Sequence, residues 1–444
     1  MPRTPETVAE ARSRWRRPAI AYKIISVLAI LALVIQTGMF LLALFEPPLP
    51  YRVWPDGRHA IESEEYLRTL SALTEGTLHH RNHVQVFTDG AAFYGAELAA
   101  IRQAKRFIHM ERYVLSEGRV ADQMIGALEE RARAGVKVRL VFDALGGRVP
   151  DSFFDKLRQA GGRAAYYHPI RWYTWPRINN RTHRELVVVD GELALVGGAG
   201  VGDLWQYSDL GEPAWRDTMV QITGGAVAGV QAVFAENWLE STGEILFDPA
   251  YFPTAKADGS TTALVVSSSP ATGRSTQARV LFQSLIAAAR KEIHMNSPYF
   301  LPDESLRDEL VRAARERGVR VRIVVPGEYA DHRLTRRASR ALYGPLLESG
   351  VEIYEYRPSM IHAKILVVDG TWSIVGSTNM DSRSFALNDE ISVALLDSAL
   401  AARLNQDFSR DVERSRRVTR EEWAARPWWE RIEESIGSLY QRQQ

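Results

Sequence analysis

The chain shows itself twice, and no other feature limits its fold as tightly. Ala104-Lys105-Arg106-Phe107-Ile108-His109-Met110 returns as Ala289-Arg290-Lys291-Glu292-Ile293-His294-Met295. Gly135-Val136-Lys137-Val138-Arg139-Leu140-Val141 returns as Gly318-Val319-Arg320-Val321-Arg322-Ile323-Val324, in the same order and at similar spacing. Each copy reads as a helix (Ala91 to Ala104; Ala278 to Arg290), an apolar strand, a second helix (Ala121 to Ala134; Leu306 to Arg317) and a β-branched strand ending at Asp143 or Pro326. This alternation predicts an α/β protein of two pseudo-repeated lobes, residues 81–250 and 260–430, each a mixed sheet flanked by helices. Residues 251–259, rich in Asp, Pro, Gly and Ala, read as the linker between them, and 431–444 as a tail.

Ahead of the repeats, Ile24 to Phe45 carries no charge. As a helix it spans roughly 33 Å, enough to cross the hydrocarbon core of a bilayer. Glu46-Pro47-Pro48-Leu49-Pro50 follows where a signal peptide would offer a small-residue cleavage site, so the segment reads as an uncleaved anchor. Arg12, Arg14, Arg16, Arg17 and Lys23 precede it, and only Arg52 and Arg58 follow closely. That bias puts residues 1–23 in the cytoplasm and the helix at 24–45, with a linker at 46–80 leading to lobes on the far side. Lys+Arg 55 against Asp+Glu 54 leaves no bulk attraction for nucleic acid, which is not expected as a partner. The absence of cysteine excludes disulfides, thiol nucleophiles and cysteine-bound metals.

The repeat that bears chemistry is His183-Arg184-Glu185-Leu186-Val187-Val188-Val189-Asp190-Gly191 against His362-Ala363-Lys364-Ile365-Leu366-Val367-Val368-Asp369-Gly370. Residues two apart on a strand share a face, so His362 and Lys364 can address one ligand while the apolar run is buried and Asp369 closes the strand at a turn. Small-residue loops follow, Gly197-Gly198-Ala199-Gly200 and Gly376-Ser377-Thr378-Asn379, which let backbone and short side chains approach an anion.

These motifs resemble those of the phospholipase D superfamily, whose signature H-x-K-x4-D, followed by G-[GS]-x-N, occurs once in each half of the chain. Within it the sequence is most similar to the bacterial cardiolipin synthases, through Phe142-Asp143-Ala144-Leu145, Asn179-Asn180-Arg181, Pro298-Tyr299-Phe300-Leu301-Pro302, Tyr354-Glu355-Tyr356 and Gly376 to Ser384. The likeness runs from about Val84 to Trp429. It implies phosphodiester exchange through a covalent phosphohistidine, with no metal and no cofactor. His183 would attack phosphorus, and His362 would protonate the departing alcohol and then deprotonate the incoming one. Lys364, Ser377 and Asn379 would bind the phosphoryl oxygens, and Asp190 and Asp369 complete the catalytic motifs. Asp217 and Glu390, acids later in each half, are candidates to hold a ring nitrogen and fix the histidine tautomer. The implied enzyme is a phosphatidyltransferase of the bacterial inner membrane that converts two phosphatidylglycerols into cardiolipin and glycerol. Both motifs lie in one chain, so the site needs no oligomer.

The first copy departs from the pattern, with Glu185 in place of lysine and Gly200 in place of asparagine. Exchanging a cation for an anion at ~6 Å, with an effective dielectric of about 20, weakens phosphate binding by several kcal/mol. Strand alternation turns Arg184 to the other face, whereas Arg181, two residues before His183, is the expected compensating phosphate ligand. Three outcomes stay open: an enzyme with a rebuilt cation site, a slow enzyme, and a relative that binds phospholipid without turnover. Hydrolysis is the alternative to transfer, because water can replace the acceptor alcohol.

Other features have plainer readings. His79, His80 and His83 lack a neighbouring carboxylate or cysteine and read as a solvated loop. His109 and His294 occupy equivalent strand positions and are expected to pack or hydrogen-bond inside the sheet. Trp172, Tyr173 and Trp175 either line an acyl-chain entrance or pack in the core. Arg333, Arg336, Arg337 and Arg340 follow helical spacing and give a face that is either solvated or holds anionic headgroups. Trp423, Trp428 and Trp429 read as a packed cap on the second lobe.

Overall fold

The computed structural model describes residues 22–39, 50–53, 60–172, 174, 177–207, 213–256, 258–270 and 276–427. They fall into two compact units that divide between Pro50 and Tyr51. In the first, helix α1 (Tyr22–Met39) is apolar, unburied and long enough to cross a membrane. The expected continuation to Phe45 lies outside the described residues.

The second unit is built on one mixed sheet, fifteen strands wide among the described residues. In chain order these are β1 (Thr77–Thr88), β2 (Phe107–Arg112), β3 (Lys137–Asp143), β4 (Arg163–Tyr167), β5 (Leu186–Val189), β6 (Leu193–Gly197), β7 (Thr218–Thr223), β8 (Thr261–Ser268), β9 (Glu292–Asn296), β10 (Arg320–Pro326), β11 (Glu352–Tyr356), β12 (Ile365–Val368), β13 (Trp372–Gly376), β14 (Glu390–Leu396) and β15 (Ser415–Val418). Across the sheet they run β15-β11-β10-β9-β12-β13-β14-β8-β1-β7-β6-β5-β2-β3-β4, so the two halves mirror each other about the β8–β1 pair. Strands β2, β3 and β4 are parallel, as are β9, β10 and β11, while the motif strands β5 and β12 run antiparallel to their neighbours.

Strand β1 joins the halves. Its first part pairs with β8 and its second with β7, and the register slips between His79 and Asn82, where Arg81 adopts φ +61°. The buried Asn82 side chain holds the bulge, donating to the carbonyls of His79 (2.6 Å) and Thr261 (3.1 Å) and accepting from Ala226 N–H (2.9 Å). His79, His80 and His83 therefore lie on a strand, not in the expected loop. Their polar run hid it, because this strand buries little more than Asn82.

A second correction concerns residues 46–80. Helix α2 (Glu64–Thr74), capped by Ser63, sends Leu67 and Leu70 into the core of the second half, so this stretch is more than a linker. The two lobes also share a core: Val196 and Val220 from one half cluster with Ile365 and Val393 from the other. His109 and His294 sit inside the sheet as expected. His109 bonds Gln231 (3.0 Å) and stacks on Phe234, while His294 bonds Asn405 (2.7 Å) and stacks on Phe408. Burial pushes the His109 imidazole down to about 3, so it stays neutral.

Trp172 is 89% exposed, which removes the core reading for that ring, and Tyr173 and Trp175 lie outside the described residues. The basic face on the helix Arg333–Ala341 is partly neutralised, since Arg336 and Arg340 both pair with the buried Glu355. Trp423 packs as a cap, donating from Nε1 to Arg340 O at 2.8 Å, and Trp428 and Trp429 lie outside the described residues.

Candidate active site

The two motifs meet where the halves of the sheet exchange backbone bonds. His183 N–H donates to Asp389 O (2.8 Å), and His362 N–H donates to Arg216 O (2.7 Å). Parallel bridges Thr182–Asp389 and Arg216–Ile361 make these contacts a related pair. Regular strand begins only at Leu186 and Ile365, so each histidine stands on a short extension beyond its strand.

Each imidazole is held by an acid of the opposite half. His183 Nδ1 lies 3.1 Å from Glu390 Oε2 and 3.1 Å from Ser377 O, and His362 Nδ1 lies 2.8 Å from Asp217 Oδ2. Asp217 is itself fixed by Trp205 Nε1 (3.0 Å) and Thr218 N–H (2.8 Å). The spacing of residues marked both acids as candidates, but the exchange between halves depends on how the lobes dock and has no signature in either motif.

Lys364 Nζ sits 2.8 and 2.9 Å from the two ring nitrogens of His362. Gly198 makes this possible, because a Cβ there would lie 2.7 Å from an Asp217 oxygen and 3.0 Å from Lys364 Cδ. Burial pushes the ammonium down to about 8, against the pull of Asp217 and Glu390. Burial and then Lys364 hold His362 below the ordinary imidazole value, with Asp217 opposing. Burial also disfavours a charged His183, but Glu390 overrides it and the value lies above the ordinary one.

Several expected site residues have other work. The Ser377 hydroxyl donates to Glu390 in a short hydrogen bond, so it steadies the acid that holds His183 and is not a free phosphate donor. Asn379 is buried, but its unpartnered atom is the acceptor Oδ1, so any bond to a phosphoryl oxygen falls to its side-chain NH2. Arg181 does not compensate for Glu185. Its guanidinium lies 3.6 Å from Asp143 and donates to the carbonyls of His168 and Arg177, because the chain folded back ahead of it carries these acceptors.

Asp190 and Asp369 are also corrected, from catalytic to architectural. Asp190 accepts from the backbone N–H groups of Lys105, Arg106 and Phe107, and Asp369 from those of Arg290, Lys291 and Glu292. Both sit at the far end of the strand from their histidine. With Gly191 or Gly370 each forms the centre of the tight turn of a hairpin, closed by Glu192 N–H to Val189 O or Thr371 N–H to Val368 O, at φ +53° and +52° for Asp and +67° for Gly.

Glu185 and Gly200 form one packed unit. Glu185 Oε1 accepts from Tyr113 and Val114 N–H (3.2 and 3.3 Å), and Oε2 lies 3.5 Å from the Arg112 guanidinium, which also pairs with Glu97. A Cβ on Gly200 would lie 2.6 Å from Val114 Cβ and 2.7 Å from Val114 O. The backbone drawn in by Glu185 thus fills the space an asparagine side chain would need. Burial pushes the Glu185 carboxyl up to about 7, against the attraction of Arg112. Sequence reasoning missed Arg112, and also the rings packed beside the histidines: Tyr113 lies 5.1 Å from His183, and Trp215 5.4 Å from His362. Only their position after a strand or before Asp217 could have suggested them.

Residues 98–203 and 282–412 match a family model described as cardiolipin synthase, PLD-like domain. A cardiolipin synthase of Listeria welshimeri is 35% identical over 364 residues, covering 81% of this chain and 74% of that protein. One of Halalkalibacterium halodurans is 34% identical over 378 residues, covering 84% and 74%. Among solved structures, the phosphatidylserine synthase of Haemophilus influenzae shares the fold, with a TM-score of 0.66 at 13% identity, covering 86% of this chain and all of that one.

Proposed function

Since this chain belongs to the cardiolipin synthase family with phospholipase D-like domains, we propose that the seam between its halves moves the phosphatidyl group of one phosphatidylglycerol onto the glycerol hydroxyl of another, releasing glycerol. The observation that carries this reading is the reciprocal pair, His183 with Glu390 and His362 with Asp217. Two oppositely tuned imidazoles can act as nucleophile and as proton carrier, which divides one displacement into two. Lys364 and Asn379 would receive the phosphoryl oxygens as charge gathers on them. Helix α1 supports action on a lipid at a membrane, with its basic N-terminal flank in the cytoplasm and the lobes on the other side.

The test is to incubate the purified full chain with phosphatidylglycerol in detergent micelles and resolve the lipids. Cardiolipin is expected. Phosphatidic acid alone would make it a hydrolase, and unchanged lipid a binding protein. His362→Ala should lower cardiolipin formation by at least about 10⁴. Because the chain has no cysteine, one introduced after α1 can be labelled with an impermeant maleimide in intact cells, and protection from the label would reverse the proposed orientation.

A further inference from the structure

We infer that His362 attacks phosphorus and that His183 protonates the departing alcohol, the inverse of the order the family resemblance implies. This assignment rests on the transferase reading above.

The first argument is hydrogen-bond direction. An ammonium can only donate, and Lys364 Nζ lies 2.8 Å from His362 Nδ1 and 2.9 Å from Nε2, so its charge opposes a second proton on the ring, while the Asp217 carboxylate facing Nδ1 decides which nitrogen keeps the first. The proton of the ring then sits on Nδ1, facing Asp217 at 2.8 Å. That is a neutral imidazole with Nε2 ready to form a bond. His183 Nδ1 likewise meets acceptors, a carboxylate and a carbonyl each at 3.1 Å, but the lysine lies against the His362 ring and not against this one.

The second argument is the degenerate motif. Where His362 has Lys364 two residues on, His183 has the buried Glu185, an added anion that favours the imidazolium, although the Lys364 charge opposes it. Asp331 and Asp217 act on His362 in the same sense, but burial and the ammonium in contact with the ring together outweigh them. Burial and Lys364 hold His362 low against Asp217 and Asp331, and Glu390 with Glu185 holds His183 high against burial and Lys364, as the order of events requires. On this reading, Glu185 is no lesion: it helps sort two otherwise similar rings into base and acid.

The steps balance. The His362 Nε2 lone pair forms a P–N bond as the P–O bond to the glycerol headgroup breaks, and His183 Nε2–H passes its proton to the departing oxygen. The neutral His183 then takes the hydroxyl proton of the incoming phosphatidylglycerol, whose oxygen forms the new P–O bond as P–N breaks. The His183 imidazolium and the free His362 are restored.

Phosphatidyl-p-nitrophenol tests this, because its leaving group needs no proton. The full chain with His183→Gln should release a burst of about one p-nitrophenolate per molecule, while turning over phosphatidylglycerol about 10³ slower than wild type. His362→Gln should give no burst. Peptide mapping of the wild-type adduct after an alkaline quench should place the phosphatidyl group on His362, a result that needs no variant to fold. A burst from His362→Gln, an adduct on His183, or silence from both variants beside an active wild type overturns the assignment. A wild type that neither bursts nor forms cardiolipin removes the transferase reading itself, and the assignment with it.

Discussion

Just before β12 an ammonium, Lys364, lies against the ring of His362. Just before β5 a buried carboxylate, Glu185, takes the matching position after His183. Around this reversal the two halves agree closely. Both place an Asp-Gly hairpin at the other end of the strand, both stack a histidine on a phenylalanine inside the sheet, and both lend an acid to the other half. Repetition has therefore kept the scaffold while the chemistry has divided. On the proposed reading the second half binds the anion, and the first supplies a ring in an acidic setting. The reversal is also packed in place by Arg112, Glu97, two backbone amides and the close approach of Val114 to Gly200.

After the histidines themselves, the largest effect should come from deleting the charge on the proposed anion-binding side. Lys364→Met is expected to reduce cardiolipin formation by about 10³–10⁴, because a dry site offers little else to offset the phosphoryl charge. A loss under tenfold would mean that another cation serves the phosphate.

Restoring the family pattern on the other side should harm the enzyme. Glu185→Lys would set an ammonium beside Arg112 and against two N–H donors, which is expected to cost about 3–5 kcal/mol of stability, read by thermal unfolding, and to lower activity. Gly200→Asn pushes a side chain into Val114 and should cost about 1–3 kcal/mol. The double variant, which completes the motif on paper, should remain worse than wild type. A rate increase would show that the first motif is degraded and not rebuilt.

This comparison also shows what could be read before the fold was known. The α/β repeat, the apolar strands, the buried histidines and the two motif histidines all follow from local periodicity and duplicated spacing. The Ser377, Arg181, Asp190 and Asp369 roles did not, because each depends on acceptors or amides supplied by distant segments: Glu390 for Ser377, His168 and Asp143 for Arg181, and the residue 105–107 and 290–292 amides for the two aspartates. The departures at 185 and 200 were visible, but their coupling was not, since Val114 and Arg112 reach them only in the folded chain.

The two acids offer a finer test. Glu390 holds His183 above its ordinary value, so Glu390→Gln should let it fall. If His183 must be protonated, the alkaline limb of the rate profile should move to lower pH, beside a rate loss of about 10². Asp217 opposes the lowering of His362, so Asp217→Asn should move the acid limb to lower pH, where the neutral ring then persists. Limbs that move in the other variant, or not at all, would break the proposed division between the halves.

The smallest effect on chemistry should come from the residues the motif shares without change. In Asp190→Asn and Asp369→Asn the amide oxygen can still meet two backbone N–H groups, but the new NH2 faces the third donor, Lys105 N–H at 2.8 Å or Arg290 N–H at 2.9 Å. Asparagine tolerates the positive φ of the turn, so the strain added there is small. Each variant should lose about 1–3 kcal/mol of stability, by a similar amount in the two halves. Turnover per folded molecule should stay within about threefold of wild type, since neither carboxylate reaches the seam. A tenfold loss of turnover with unchanged unfolding would return these aspartates to the chemistry, and a loss in one half alone would show that the scaffold, like the charge, has diverged.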